Sequence, residues 1–244
     1  MDTITTSFLT VFLTGIVVIF ISRGLDFLWA RVIPVRSFYY VIRAPGVVVH
    51  ELSHVLGCLL MGAKIKNIVF FSEKGGSVTY SAPAVPYFGD VVISSAPLFF
   101  IPLVLAGCTW FFSQYLGCVF PSLIPDIGTT DTFFSLVTSI VSMFTRNLIV
   151  IFNAWFILYL YLTLTLVLSI APSDQDAKNA AIGIGIIALI GILILWSSLP
   201  FAVSILMMII SFIEMGFILG LLFGMIALVI SVPVVILYIH KNFV

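Results

Sequence analysis

The chain has 244 residues, of which 62% are hydrophobic and 8% charged, and its formal net charge is zero. A soluble domain carries about 25% charged residues, so an ordinary soluble globule is excluded, and the balanced charge gives no footing for nucleic acid. Three cysteines (Cys58, Cys108, Cys118) at no metal-like spacing give no disulfide framework.

A bilayer span needs ~20 mostly apolar residues, and several runs qualify. The first covers about 7 to 22, reaching toward Trp29. It lacks a basic leader and a small-residue cleavage site, so it reads as a retained span and not a signal peptide. Arg23, Arg31, Arg36 and Arg43 mark an amphipathic connection, punctuated by Pro34 and Pro45. Span two, about 46 to 62, contains VVVHELSHVLG. KIKNIVFF and SVTYSA then predict a β-hairpin with strands at 67 to 71 and 77 to 81, turning at Gly75 and Gly76 with Glu73 in the turn. Span three is about 91 to 112, and 113 to 131 reads as an ordered extramembrane loop. A shorter apolar segment, 132 to 145, ends at Arg146. Span four is about 148 to 170, APSDQDAK interrupts, and span five is about 179 to 197. The tract from Pro200 to His240 would reach about 60 Å as one helix. It is expected to hold two segments bending near Glu214 and Gly216, with Gly216, Gly220 and Gly224 as a helix-packing face. The expectation is an all-α polytopic membrane protein of about six transmembrane helices with a small β-hairpin after the second. Residues 1–244 form one membrane-embedded domain without internal repeats. Basic residues on both sides of span two leave its orientation open.

Ionisable residues inside a span are costly and point to function. His50 and His54, four apart, share one helix face, and both imidazoles can address one metal ion. Glu51 is 100° around from His50 and borders the same space, where it can take a proton from water without being a ligand. This is H-E-x-x-H, the zinc-hydrolase arrangement with Glu as general base. The chain has only three His and three Glu, so composition alone does not explain the motif. Two histidines leave a catalytic zinc one protein ligand short. His240 reads as an interfacial residue and Cys58 as a small buried one. Asp2, Asp26, Asp90, Asp126 and Asp131 fall in terminal or loop contexts, which leaves Asp174, Asp176 and Glu214. In SIAPSDQDAKNA, Pro172 ends one helix, and Ser173-x-x-Asp176 is a capping pattern that starts another.

HELSH in a span, a β-hairpin after it and a later Pro-containing turn with Asp together resemble the site-2 protease family of intramembrane zinc metalloproteases. The family's second motif is N-x-x-P followed by an aspartate, usually as D-G. Here Ser169-Ile-Ala-Pro172 matches it with Ser for Asn, and Ala177 stands where Gly is usual. The resemblance covers about residues 40 to 185 and is that of a divergent member. It implies one zinc ion held by His50, His54 and Asp176, with Asp174 as the alternative third ligand. It also implies Glu51 as general base, and Ser169 orienting substrate backbone or a water. The implied activity is hydrolysis of peptide bonds in transmembrane or membrane-proximal substrates by metal-activated water. The partners would be the lipid bilayer and a transmembrane protein substrate, and the chain would be a multi-pass integral membrane protein, in the cell membrane if the source is prokaryotic. The hairpin has two readings: a strand that holds substrate extended, or a hairpin that only packs on the bundle.

Three other functions compete. A catalytically silent relative that binds membrane partners would be expected to lack Glu51. A metal transporter would spread polar residues along several spans. A membrane hydrolase acting on another bond shares the motif.

Overall fold

The computed structural model describes residues 3–71, 75–120, 130–197 and 199–243. Seven α-helices and one two-stranded antiparallel sheet make up these residues: α1 (Thr3–Val32), α2 (Arg36–Leu60), β1 (Ile65–Val69), β2 (Ser77–Tyr80), α3 (Phe88–Tyr115), α4 (Thr130–Phe144), α5 (Ala154–Leu168), α6 (Asp174–Ser197) and α7 (Pro200–Phe243). A π-helical turn, Thr145–Val150, continues α4. Four helices are long and apolar enough to cross a membrane: Thr10–Val32, Phe88–Tyr115, Asp174–Ser197 and Pro200–Lys241. Helix α2 has the length, 25 residues, but its polar residues dilute its hydropathy. Of the expected loop, residues 121–129 lie outside the described residues, as do Asp2, Glu73 and Asp126.

Three expectations are corrected. The tract after Pro200 is a single 44-residue helix, not two. Gly216 and its two partners are packing contacts and not a hinge. A Cβ at Gly216 would meet the Phe99 ring at 2.8 Å, one at Gly220 would meet Val18 at 3.2 Å, and one at Gly224 would meet Ile21 at 3.4 Å. Phe99 belongs to α3; the Gly220 and Gly224 pairs, with Phe217 against Gly15 and Trp29 Nε1 donating to Ser231 Oγ at 2.9 Å, advance together along α1 and α7. Helices α1 and α7 therefore run in the same direction. The amphipathic connection is likewise absent: Arg23 and Arg31 lie on α1, Arg36 and Arg43 on α2, and only Ile33–Val35 separate the helices. Pro45 lies inside α2. The interrupted turn is served from α5, where Thr165 Oγ1 donates to Arg43 O (3.1 Å) and accepts from Gly46 N (3.0 Å). Backbone groups freed by proline at membrane depth need such partners.

The core is built from α1, α3, α5 and α7. Ile101 and Leu105 of α3, Phe156 and Tyr159 of α5, and Ile226 and Ala227 of α7 are all fully buried. Against this core α2 is set by two glycines. A Cβ on Gly46 would collide with the Thr165 carbonyl, and a Cβ on Gly57 would lie 2.9 Å from Ile93 Cα. Backbone thus approaches backbone on both sides of HELSH, α5 at one end and α3 at the other. Helix α6 is seated on α3 by a third such contact, Gly183 against the Tyr87 carbonyl. The sheet pairs Val69 with Ser77 and Ile65 with Tyr80, with an irregularity between Ile65 and Asn67. Its first strand begins two residues before the expected 67.

Candidate metal centre

The two close approaches on α2 decide what the histidines touch. Gly46, one turn before His50, brings in the end of α5, and His50 Nδ1 donates to Ser169 O at 2.5 Å. Gly57, one turn after His54, brings in α3, and His54 Nδ1 donates to Ile93 O at 2.8 Å. A carbonyl oxygen only accepts, so both imidazoles carry their proton on Nδ1 and present the Nε2 lone pair. Those two Nε2 atoms lie 3.1 Å apart. Asp176 Oδ2 completes a triangle, 3.5 Å from His54 Nε2 and 3.9 Å from His50 Nε2. Among the described residues, His50, His54 and Asp176 are the three His, Cys, Asp or Glu side chains that converge closely enough to share an ion.

This donor set fits zinc. Nitrogen and oxygen ligands about 2.0–2.2 Å from a tetrahedral zinc stand about 3.3–3.6 Å from one another, which the triangle brackets. Three converging lone pairs, one of them on a carboxylate, repel unless a cation lies among them. The carbonyl partners of both Nδ1 atoms are the outer hydrogen bonds that orient metal-ligating histidines.

Asp176 is placed by its own helix start. Ser173 N and Oγ donate to Asp176 Oδ2 at 2.9 and 2.6 Å, and Asp176 N donates back to Ser173 Oγ at 3.1 Å. That is a reciprocal capping box with Asp in the Glu position, as Ser173-x-x-Asp176 predicted. Asp174 points elsewhere: its carboxylate accepts from Arg23 Nη2 at 3.0 Å and is 87% exposed. Glu51 is buried and lies between two cavities. One, of about 300 Å³, is lined by Arg23, Asp26, Arg43, Glu51, Ser169 and Gly76 among others. The other, of about 290 Å³, holds His50, Glu51, His54 and Asp176 opposite β2 and Asn179. Ser169 is buried, and its Oγ has no protein partner while the residue lines the first cavity.

The sheet reaches the site. Gly76, just before β2, packs against the Glu51 carboxylate so closely that a Cβ there would overlap Oε1. Val78, Tyr80 and Asn179 line the second cavity and also a groove of about 560 Å³ that continues between β2 and α6 past Asp90, Lys178 and Ile182. Burial and the neighbouring Asp90 carboxylate push the Tyr80 phenol above its ordinary pKa, so it stays protonated. Tyr80 OH lies 3.4 Å from Asp90 Oδ1.

Several residues of the region escaped the sequence reading. Asp26 was placed in a loop, but it lies on α1, where it accepts from Tyr39 OH and pairs with Arg43 Nε at 3.2 Å. Asp90 belongs to the first turn of α3. Gly46, Gly57 and Gly76 were not singled out for the site; their spacing around HELSH was the available signal. The other candidates stay apart. Glu214 and His240 belong to α7, which contributes no residue to the two cavities, and Cys58 is buried with Ala63 and Ile93.

No curated protein and no solved structure matches the chain. One family model does, described as Peptidase M50B-like, over residues 16–192. That stretch runs from the middle of α1 through α6 and takes in both HELSH and the SIAPSDQD turn. The chain belongs to the Peptidase M50B-like family, among the membrane-embedded metallopeptidases of the site-2 protease type.

Proposed function

We propose that the chain is an intramembrane zinc endopeptidase that hydrolyses peptide bonds of transmembrane or membrane-proximal substrates. The observation that carries this reading is the convergence of His50 Nε2, His54 Nε2 and Asp176 Oδ2 beside the buried Glu51. These three side chains would hold the ion. When bound, zinc would supply Lewis acidity there, of the kind that polarises a carbonyl and lowers the pKa of water to about 7. Glu51 takes the proton of the attacking water and passes it to the leaving amine. Its lining of both cavities gives it access to water on one side and to the groove on the other. Ser169 works twice: its carbonyl fixes the His50 ring, and its free Oγ donates to a substrate carbonyl or holds a water.

The substrate must be extended before attack, because a helix shields its own peptide bonds. β2 lines the groove, and in the two-stranded sheet of the described residues one of its edges is not paired by β1 and can offer main-chain hydrogen bonds to such a segment. The placement of β2 beside His50, Glu51 and His54 favours this over a hairpin that only packs on the bundle. Retention of Glu51 inside the cavity favours an active peptidase over a silent relative. The test is one assay on purified protein with a model transmembrane substrate and zinc content by elemental analysis. Cleavage is expected to vanish in Glu51→Gln with zinc retained, and zinc to be lost in Asp176→Asn but kept in Asp174→Asn. Cleavage that survives Glu51→Gln would sink the mechanism.

A further inference from the structure

The turn that carries Asp176 toward the histidines is held from two sides. On one, Ser169 O is bound by His50. On the other stands α1, a helix that supplies no ligand. Ser22, fully buried on α1, accepts a hydrogen bond from Ala171 N at 3.0 Å. Its neighbour Arg23 donates through Nη2 to Pro172 O at 2.9 Å and to Asp174 Oδ1 at 3.0 Å. An N–H and a carbonyl of the non-helical turn, and the carboxylate of the residue that opens α6, thus find their partners on two adjacent residues. Such backbone is tolerated at membrane depth only where protein satisfies it. The direction in which α6 leaves this turn sets where Asp176 points, since Asp176 is on the first turn of α6.

We propose that Ser22 and Arg23 are positioning residues of the metal centre. They clamp the Ala171–Asp174 turn so that the Asp176 carboxylate stays on His50 and His54. The two aspartates of SDQD then divide the work: Asp176 faces the ion, and Asp174 latches the turn to Arg23. The Arg23–Asp174 pair is largely exposed, and exposed pairs contribute little. The buried Ser22 contact therefore carries most of the clamp, and the exposed Arg23 bonds to Pro172 O and Asp174 the smaller part. The inference rests on the metal reading of Asp176.

The test follows zinc and not only activity. Full-length protein in detergent is loaded with zinc, challenged with a chelator for timed intervals and assayed for zinc per chain. His50→Ala is the metal-free reference. Ser22→Ala is expected to release zinc about tenfold faster than the parent chain, the low end of the effect of removing an outer hydrogen bond at a metal site, and Arg23→Gln by a smaller factor. Arg23→Lys, which keeps one donor, is expected in between, and Asp174→Asn close to the parent chain. Melting temperatures should fall by only a few degrees, most in Ser22→Ala, where Ala171 N loses its partner. Excess zinc should restore kcat in Ser22→Ala and Arg23→Gln, with KM unchanged, but not in Glu51→Gln. Folded Ser22→Ala and Arg23→Gln releasing zinc at the parent rate would overturn the proposal. Should Arg23→Gln fail to fold, the release rate of Ser22→Ala decides alone. A parent chain that binds no zinc takes down the metal reading and the clamp together. Tight binding with unaltered release in the variants takes down the clamp only.

Discussion

Along α7, the small residues Gly216, Gly220 and Gly224 meet side chains: the Phe99 ring, Val18 and Ile21. Along α2, Gly46 and Gly57 meet backbone: the Thr165 carbonyl and Ile93 Cα. Both are close helix contacts, yet they do different things. A side chain across from a glycine can rotate or shift by a few tenths of an ångström, so the seams of α7 with α1 and α3 set shape and stability. Backbone across from a glycine cannot yield without moving its helix. On α2 the helices so positioned carry the carbonyls of Ser169 and Ile93 that orient the two histidines. The first kind of contact holds the bundle together, and the second kind aims a site.

Substitutions can break or sharpen that contrast, and they are ordered here by expected effect. Glu51→Gln removes the base and leaves every glycine contact in place. Peptidase activity should fall by about 10²–10⁴-fold, with melting temperature and zinc content unchanged. Gly46→Ala drives a methyl into the Thr165 carbonyl, so α2 and α5 must separate. A cost of about 3 kcal/mol or more is expected in denaturant titration, at or above the usual range for overpacking, together with loss of zinc. Gly76→Ala meets only the Glu51 carboxylate, the far end of a flexible side chain. Stability should hold, while kcat drops by about 10- to 100-fold because the base is displaced. An unchanged kcat there would show that the hairpin does not set Glu51. Gly220→Ala, facing Val18 at 3.2 Å, should shift stability by no more than about 1 kcal/mol, because the gain in helix propensity offsets the crowding. Activity per folded molecule should stay at the parent level. Gly107→Ala on α3 meets nothing within 4 Å and should stabilise by about 0.5–1 kcal/mol.

The helical class was legible because apolar runs are a local property, while the described residues form seven α-helices, four of them long and apolar enough to cross a membrane, against about six expected spans. The tract after Pro200 was misread for a related reason. Its length argued for a bend, but nothing local says that Gly216 is covered by Phe99 and has no freedom to hinge. The sequence placed Asp26 in a loop because Arg23 and Arg31 interrupt the apolar pattern around it. In the fold those charges are taken up by Asp174, Asp26 with Arg43, and the Phe27 ring, over which Arg31 lies at 4.6 Å. One polar cluster therefore sits on a helix that remains continuous.

The sequence by itself determined the local geometry of the site. Four-residue spacing puts His50 and His54 on one face, HELSH places Glu51 beside them, and Ser173-x-x-Asp176 starts a helix at a proline turn. Each follows from covalent spacing and the helical repeat. Which aspartate meets the histidines was decided only by tertiary structure. Asp174 and Asp176 lie two positions apart on the first turn of α6, about 200° around the axis, so they face nearly opposite ways. The capping pattern and the resemblance favour Asp176, but neither says which carboxylate faces α2. The choice comes from how the turn docks: α1 engages Asp174 through Arg23, α2 presents its histidines on the other side, and Asp176 is left facing them.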